Sequence, residues 1–145
     1  AEELASLLSS LWPSADQINR FVVFTGGEPL LQMDAALNEV VHNQGFEIAI
    51  ETNGTIKVPE GVDWVCMSPK ANTDIVVKNG DELKIIYPQL GIDPKDFEEI
   101  GFTHLFLQPM DNAYIEDNTA ACIEYCKANP AWKLSIQTHK LLNIP

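Results

Sequence analysis

The sequence predicts an α/β fold built on a mostly parallel sheet of about six strands, and three observations carry that reading. Short apolar runs alternate with stretches of helical spacing. Helix start and stop residues stand where that alternation needs them. Nearly every apolar run ends in a small polar cluster. Such an alternation fits either an open doubly wound sheet or part of a (β/α) barrel.

Each element follows in chain order. Leu4, Leu7, Leu8, Leu11 and Trp12 share helical spacing and Pro13 closes the segment, so a helix with one buried face is predicted there. Strands are predicted at Phe21 to Phe24, Ile48 to Ile50, Trp64 to Met67, Leu83 to Tyr87, Leu105 to Leu107 and Leu134 to Ile136, where several residues are β-branched or aromatic. Between the first two strands, Pro29 to Gln44 reads as one helix, with Leu30, Leu37, Val40 and Val41 on one face and Gly45 just past its end. A two-turn helix is predicted from Asp93-Pro94 to Gly101, and a longer one from Asp117 to Ala128, ended by Asn129-Pro130.

Composition narrows the function classes. At 145 residues and 46% hydrophobic content, residues 1–145 read as a single domain with a real core. The 9 Lys and Arg stand against 21 Asp and Glu, and the net charge of −12 repels phosphate backbones, so no nucleic-acid partner is expected. Every apolar run falls short of the roughly 18 to 20 residues of a membrane span. No basic stretch with a cleavage site opens the chain, so a cytoplasmic protein without a membrane partner is expected. Cys66, Cys122 and Cys126 form neither an even disulfide set nor a spaced zinc quartet, which suits a reducing compartment.

The polar clusters at the strand ends are the candidate site, because parallel α/β folds carry their ligands at the strands' carboxyl ends. In Thr25-Gly26-Gly27-Glu28 the glycine pair lets the backbone approach a ligand, and Glu28 adds a carboxylate. A ligand ammonium suits that pair and a phosphate does not. A tight turn with Glu28 as a helix cap is the plainer alternative. Ser68 and Lys70 in "MSPK" would suit a ligand carboxylate, or form a Ser-Pro turn with a surface lysine. "IETNGT" reads by itself as a turn, and His139 as either a strand-end histidine or a ligand contact.

Gly-Gly-Glu-Pro after "FVVFT", followed in order by "IETNGT", "SPK", "LQPM" and "QTHKLLNIP", resembles the 7-carboxy-7-deazaguanine synthase family of radical S-adenosylmethionine enzymes, from about Phe21 to Pro145. The resemblance implies a partial (β/α) barrel of the radical S-adenosylmethionine type. It also implies ring contraction of the pterin 6-carboxy-5,6,7,8-tetrahydropterin to 7-carboxy-7-deazaguanine, a lyase step of queuosine and deazapurine biosynthesis. S-adenosylmethionine, a 4Fe–4S cluster and Mg2+ take part in that family. By the same resemblance Gly26, Gly27 and Glu28 would hold the cofactor's methionine ammonium and Ser68 and Lys70 its carboxylate. Glu51 and Gln108 would lie near its ribose and adenine, while Thr25, Asn53, His139 and the carboxylate of Pro145 would line the pterin pocket. It assigns no catalytic residue within this sequence.

The cysteines depart from that family. Its members hold the cluster irons on three closely spaced cysteines, commonly C-x3-C-x2-C, ahead of the Gly-Gly-Glu element, whereas no cysteine here precedes Cys66. Cys122 and Cys126, four residues apart on a predicted helix, read as helix thiols, and Cys66 as a core residue. The chain therefore reads as the C-terminal two-thirds of such an enzyme, with the cluster and Mg2+ ligands and the first strand in a preceding segment, and as inactive alone. An open edge where that strand would pair predicts a homodimer. The alternative is a non-catalytic binding or interaction domain that kept the scaffold. A phosphate-handling barrel enzyme is disfavoured by the acidic first cluster.

Overall fold

The structure is a computed structural model that describes residues 1–13 and 18–144. Six strands, β1 (Phe21–Phe24), β2 (Glu47–Thr52), β3 (Trp64–Met67), β4 (Asn79–Tyr87), β5 (Gly101–Pro109) and β6 (Trp132–Leu134), form one sheet. Neighbours in the sheet are neighbours in the chain, in the order β1 to β6, and all five pairings are parallel. A doubly wound sheet reverses its strand order at a switch point. This one does not, so the winding is that of a barrel left open between β1 and β6.

Alternation along the strands divides the molecule into two faces. Ile48 and Ile50 of β2 pack with Ala5, Leu30, Met33, Val41 and Phe46 beneath helices α1 (Glu2–Leu11) and α2 (Ala35–Asn43). Leu83, Ile85, Leu105 and Leu107 form a second cluster with Cys122 of α3 (Ile115–Ala128) and with Trp132. These are the outward residues of their strands. The residues between them, including Glu51, Lys84, Ile86 and Gln108, face the opposite side and line a cleft.

Several expected boundaries move, each for a local reason. The helix expected over Pro29 to Gln44 is split into a 3-10 turn, Pro29–Leu31, and α2, because Asp34 restarts the helix by accepting from the Leu37 amide at 2.8 Å. Helix formation after Asp93 stops after one 3-10 turn, Pro94–Phe97, since Gly101 already begins β5. The last strand lies two residues earlier than expected: Trp132, 2% exposed, takes the buried position opposite Leu105. The chain then leaves the sheet and forms a helix that was not expected, α4 (Thr138–Leu142). Among the described residues no helix is long and apolar enough to cross a membrane.

Candidate functional site

The carboxyl ends of the strands converge on one polar cleft of about 580 Å³. Thr25, Gly26 and Gly27 reach it from the loop after β1, Glu51 and Thr52 from β2, Asn53 from the loop after it, and Ser68 and Lys70 from the loop after β3. Lys84 and Ile86 of β4 and Gln108 of β5 form its floor, and residues 135–139 close the far side. Nine of the residues expected from the sequence therefore stand around one space: Thr25, Gly26, Gly27, Glu51, Asn53, Ser68, Lys70, Gln108 and His139. Pro145 lies outside the described residues.

The glycine pair is open to that space. A Cβ added at Gly26 or Gly27 would meet no protein atom beyond its chain neighbours within 4 Å, and Gly26 has a φ of +116°, a conformation that L-residues rarely adopt. The backbone here is bare on its cleft side, as close approach by a ligand requires.

Glu28 is placed differently from expectation. It does not line the cleft. Its carboxylate turns inward, where Oε1 accepts from the Leu30 amide at 3.1 Å and from the Thr52 hydroxyl at 2.8 Å, and Oε2 accepts from the Asn53 amide at 2.8 Å. Thr52, 2% exposed, in turn accepts from the Gly54 amide at 3.1 Å. Of the two sequence readings of Glu28, the arrangement matches the cap and not the ligand partner: Glu28 caps the 3-10 turn, and it also ties the first rim loop to the second.

The second loop is ordered from within. Asn53 Oδ1 accepts from the amide and hydroxyl of Thr55, at 2.9 and 2.7 Å, and the bend is completed by Gly54 at a φ of +82°. In the third loop the Ser68 amide donates to Thr52 O at 2.7 Å and Lys70 Nζ donates to Ser68 Oγ at 3.4 Å, so hydroxyl and cation stand side by side. His139 sits on α4 rather than at a strand end, and the neighbouring Lys140 pairs with Asp111 of the loop after β5.

Lys84 was not among the expected residues. It lies on the cleft floor and donates to Glu51 Oε1 at 3.0 Å. A lysine between the apolar pair Leu83 and Ile85 was the available signal, since alternation forces it onto the face opposite the core.

The residues around this cleft suit S-adenosylmethionine: a bare glycine backbone for the amino acid end, Ser68 and Lys70 for its carboxylate, and Glu51 and Gln108 for hydroxyl and amino donors. They do not suit an iron–sulfur cluster. Cys66 lies on β3, where burial, the largest influence, pushes its thiol up to about 11. Cys122 and Cys126 lie on α3; burial pushes Cys122 up to about 11, and its thiol contacts Tyr87 O at 3.5 Å. The three thiols do not converge, and among the described residues no three His, Cys, Asp or Glu side chains are grouped to hold a metal such as Mg2+.

An open, singly wound parallel sheet with a polar cleft at its strand ends, bordered by a Gly-Gly-Glu loop, defines a partial (β/α) barrel of the enzyme type. The chain is 50% identical to the 7-carboxy-7-deazaguanine synthase of Bradyrhizobium diazoefficiens over 144 residues, covering 99% of this chain and 68% of the relative. It is 48% identical to that of Bordetella pertussis, covering all of this chain and 69% of the relative. The crystal structure of QueE from Escherichia coli superposes with a TM-score of 0.69 at 29% identity, over 94% of this chain and 64% of that one. No protein-family model matches the sequence. The chain belongs to the 7-carboxy-7-deazaguanine synthase family.

Proposed function

We propose that the cleft binds S-adenosylmethionine along Gly26, Gly27, Ser68 and Lys70, with Glu51 and Gln108 toward its nucleoside, and the pterin 6-carboxy-5,6,7,8-tetrahydropterin beside Thr25, Asn53 and His139. In this reading the chain supplies the binding rim of a radical S-adenosylmethionine lyase that forms 7-carboxy-7-deazaguanine. The observation that carries it is the convergence of the five strand-end clusters on one cleft, with bare glycine backbone at one wall and a hydroxyl–ammonium pair at the next.

The residues divide the work by charge. Carbonyls of the glycine loop accept from a ligand ammonium, while Lys70 and Ser68 donate to its carboxylate. Glu28 holds the first and second loops in register from behind, so that both binding walls are set before a ligand arrives. Asn53 and His139 flank the remaining space and offer donors and acceptors to a heterocycle. When bound, S-adenosylmethionine supplies the hydrogen-abstracting radical of this enzyme class. The electron for that radical is not routed through the thiols described here, which do not converge. A cytoplasmic setting and the absence of nucleic-acid and membrane partners complete the proposal, supported by the −12 charge and the three unpaired cysteines; a homodimer is supported by the edge strand β1, which exposes Phe21 and Val23.

Non-convergent thiols favour a second reading, in which the chain binds the ligand without turning it over. Calorimetric titration of the chain with S-adenosylmethionine tests what the two readings share. The expected result is binding that falls about tenfold or more for the decarboxylated cofactor, the loss of a hydrogen bond to a charged group. Equal affinity for both forms would remove Ser68 and Lys70 from the site. Titration without heat under any condition would overturn the cleft assignment.

A further inference from the structure

Lys84 occupies an unusual place for a charged side chain. Leu83 and Ile85 on either side of it are 0% exposed on the helix-covered face, so the lysine is directed to the cleft, where its side chain keeps only 20% exposure. From β4 its ammonium reaches Glu51 on β2, the second strand over, at 3.0 Å. Two strand spacings of about 4.8 Å separate those backbones, and both side chains must extend to meet. The intervening β3 residue is Cys66, paired with Glu51 on one side and Glu82 on the other. Its short side chain leaves room for the lysine stem to cross.

The ion pair has a directional consequence. Glu51 lines the cleft and its Oε1 is taken by Lys84, which leaves Oε2 as the oxygen free to accept from a ligand. The Glu51 side chain is 48% exposed, and without a partner it would sample rotamers that point into water. We propose that Lys84 is a positioning residue, which fixes the Glu51 carboxylate over the cleft floor so that its second oxygen accepts from a hydroxyl or N–H of the ligand. Burial works to lower the lysine pKa, yet its pKa is raised overall, and at neutral pH the neighbouring carboxylates of Glu51 and Glu82 keep the ammonium charged. The ion pair stands on geometry; its service to a ligand rests on the cleft reading above.

Two measurements on the chain separate these. Nitrogen-15 spectra of lysine ammonium groups, with Lys84 assigned by the signal lost in Lys84→Met, report the pair without any ligand. A Lys84 signal that moves in Glu51→Gln supports the pair, and one indifferent to that change overturns the proposal. Glu51→Gln is a partly exposed substitution and keeps the fold measurable even if Lys84→Met does not fold. Calorimetry with S-adenosylmethionine and with the reduced pterin then reads the service to the ligand. Lys84→Met should weaken whichever ligand meets Glu51 by roughly tenfold, with Lys84→Arg restoring most of it. Unchanged affinity for both ligands in Lys84→Met overturns the positioning role. Binding of neither ligand by the parent chain, with the Lys84 signal still responsive to Glu51→Gln, supports the pair and overturns the cleft reading.

Discussion

Replacing Glu28 asks whether this carboxylate meets a ligand or holds the rim together. Glu28→Gln keeps the size of the side chain and one carbonyl-type oxygen, so the Leu30 amide and the Thr52 hydroxyl can keep their acceptor. The amide nitrogen then takes the place of Oε2 and confronts the Asn53 N–H, donor against donor. One hydrogen bond to a charged acceptor is lost and a donor is left facing another, a cost of about 1–3 kcal/mol. Glu28→Ala removes all three acceptor contacts. Two of those donors belong to Leu30 and Thr52, 6% and 2% exposed, which have little water to turn to, and the cost rises to about 2–5 kcal/mol. With a urea m-value of about 2 kcal/mol/M, the glutamine variant should unfold about 0.5–1.5 M earlier and the alanine variant about 1–2.5 M earlier. Urea titrations followed by circular dichroism, with S-adenosylmethionine calorimetry on the same samples, read both effects. A bracket loses stability and affinity together, in that graded order. A glutamine variant as stable as the parent but unable to bind would refute this reasoning, and would return Glu28 to the ligand.

Three other perturbations are expected to separate cleft from scaffold. Gly27→Val places its Cβ where no protein atom beyond its chain neighbours lies within 4 Å, so it should fold as the parent does and lose S-adenosylmethionine binding; unfolding at lower urea would make Gly27 a structural turn instead. Gly54→Ala should destabilise by about 2–4 kcal/mol, because a Cβ at φ +82° would stand 2.3 Å from the Sδ of Met67, which is fully buried; a midpoint within experimental error of the parent would contradict it. Cys66 and Cys122, pushed up to about 11 chiefly by burial, should carry roughly one thousandth of their molecules as thiolate at pH 8. Iodoacetamide should then modify them far more slowly in the native chain than in urea, and their rates should rise with pH up to that value. Fast native modification of either, read by mass spectrometry, would show that the thiol is not buried.

Much of this architecture is written locally. A Gly-Gly pair after an apolar run, an Asn-Gly bend and a Ser-Pro-Lys turn are readable wherever they occur, because short-range backbone preferences and side-chain chemistry produce them. Alternation and helix punctuation located the strands and the longer helices, apart from the ends where a single competing residue such as Asp34 interrupts a helix, but they missed α4 (Thr138–Leu142) and set the last strand two residues late. Family membership was legible for the same reason, through the order of those clusters along the chain.

Tertiary packing decided what each cluster faces. No pattern near Glu28 shows that its carboxylate turns away from the cleft, because two of its three donors come from Thr52 and Asn53, more than twenty residues later and one strand over. Lys84 was missed for a related reason: its partner Glu51 lies 33 residues away on the second strand over, and only the register of three parallel strands brings the two charges together. The choice of an open barrel over a doubly wound sheet was also outside the local pattern, since both begin from the same strand–helix alternation. Strand order separates them, and that order depends on which edge each returning strand finds when the helices bury their apolar faces.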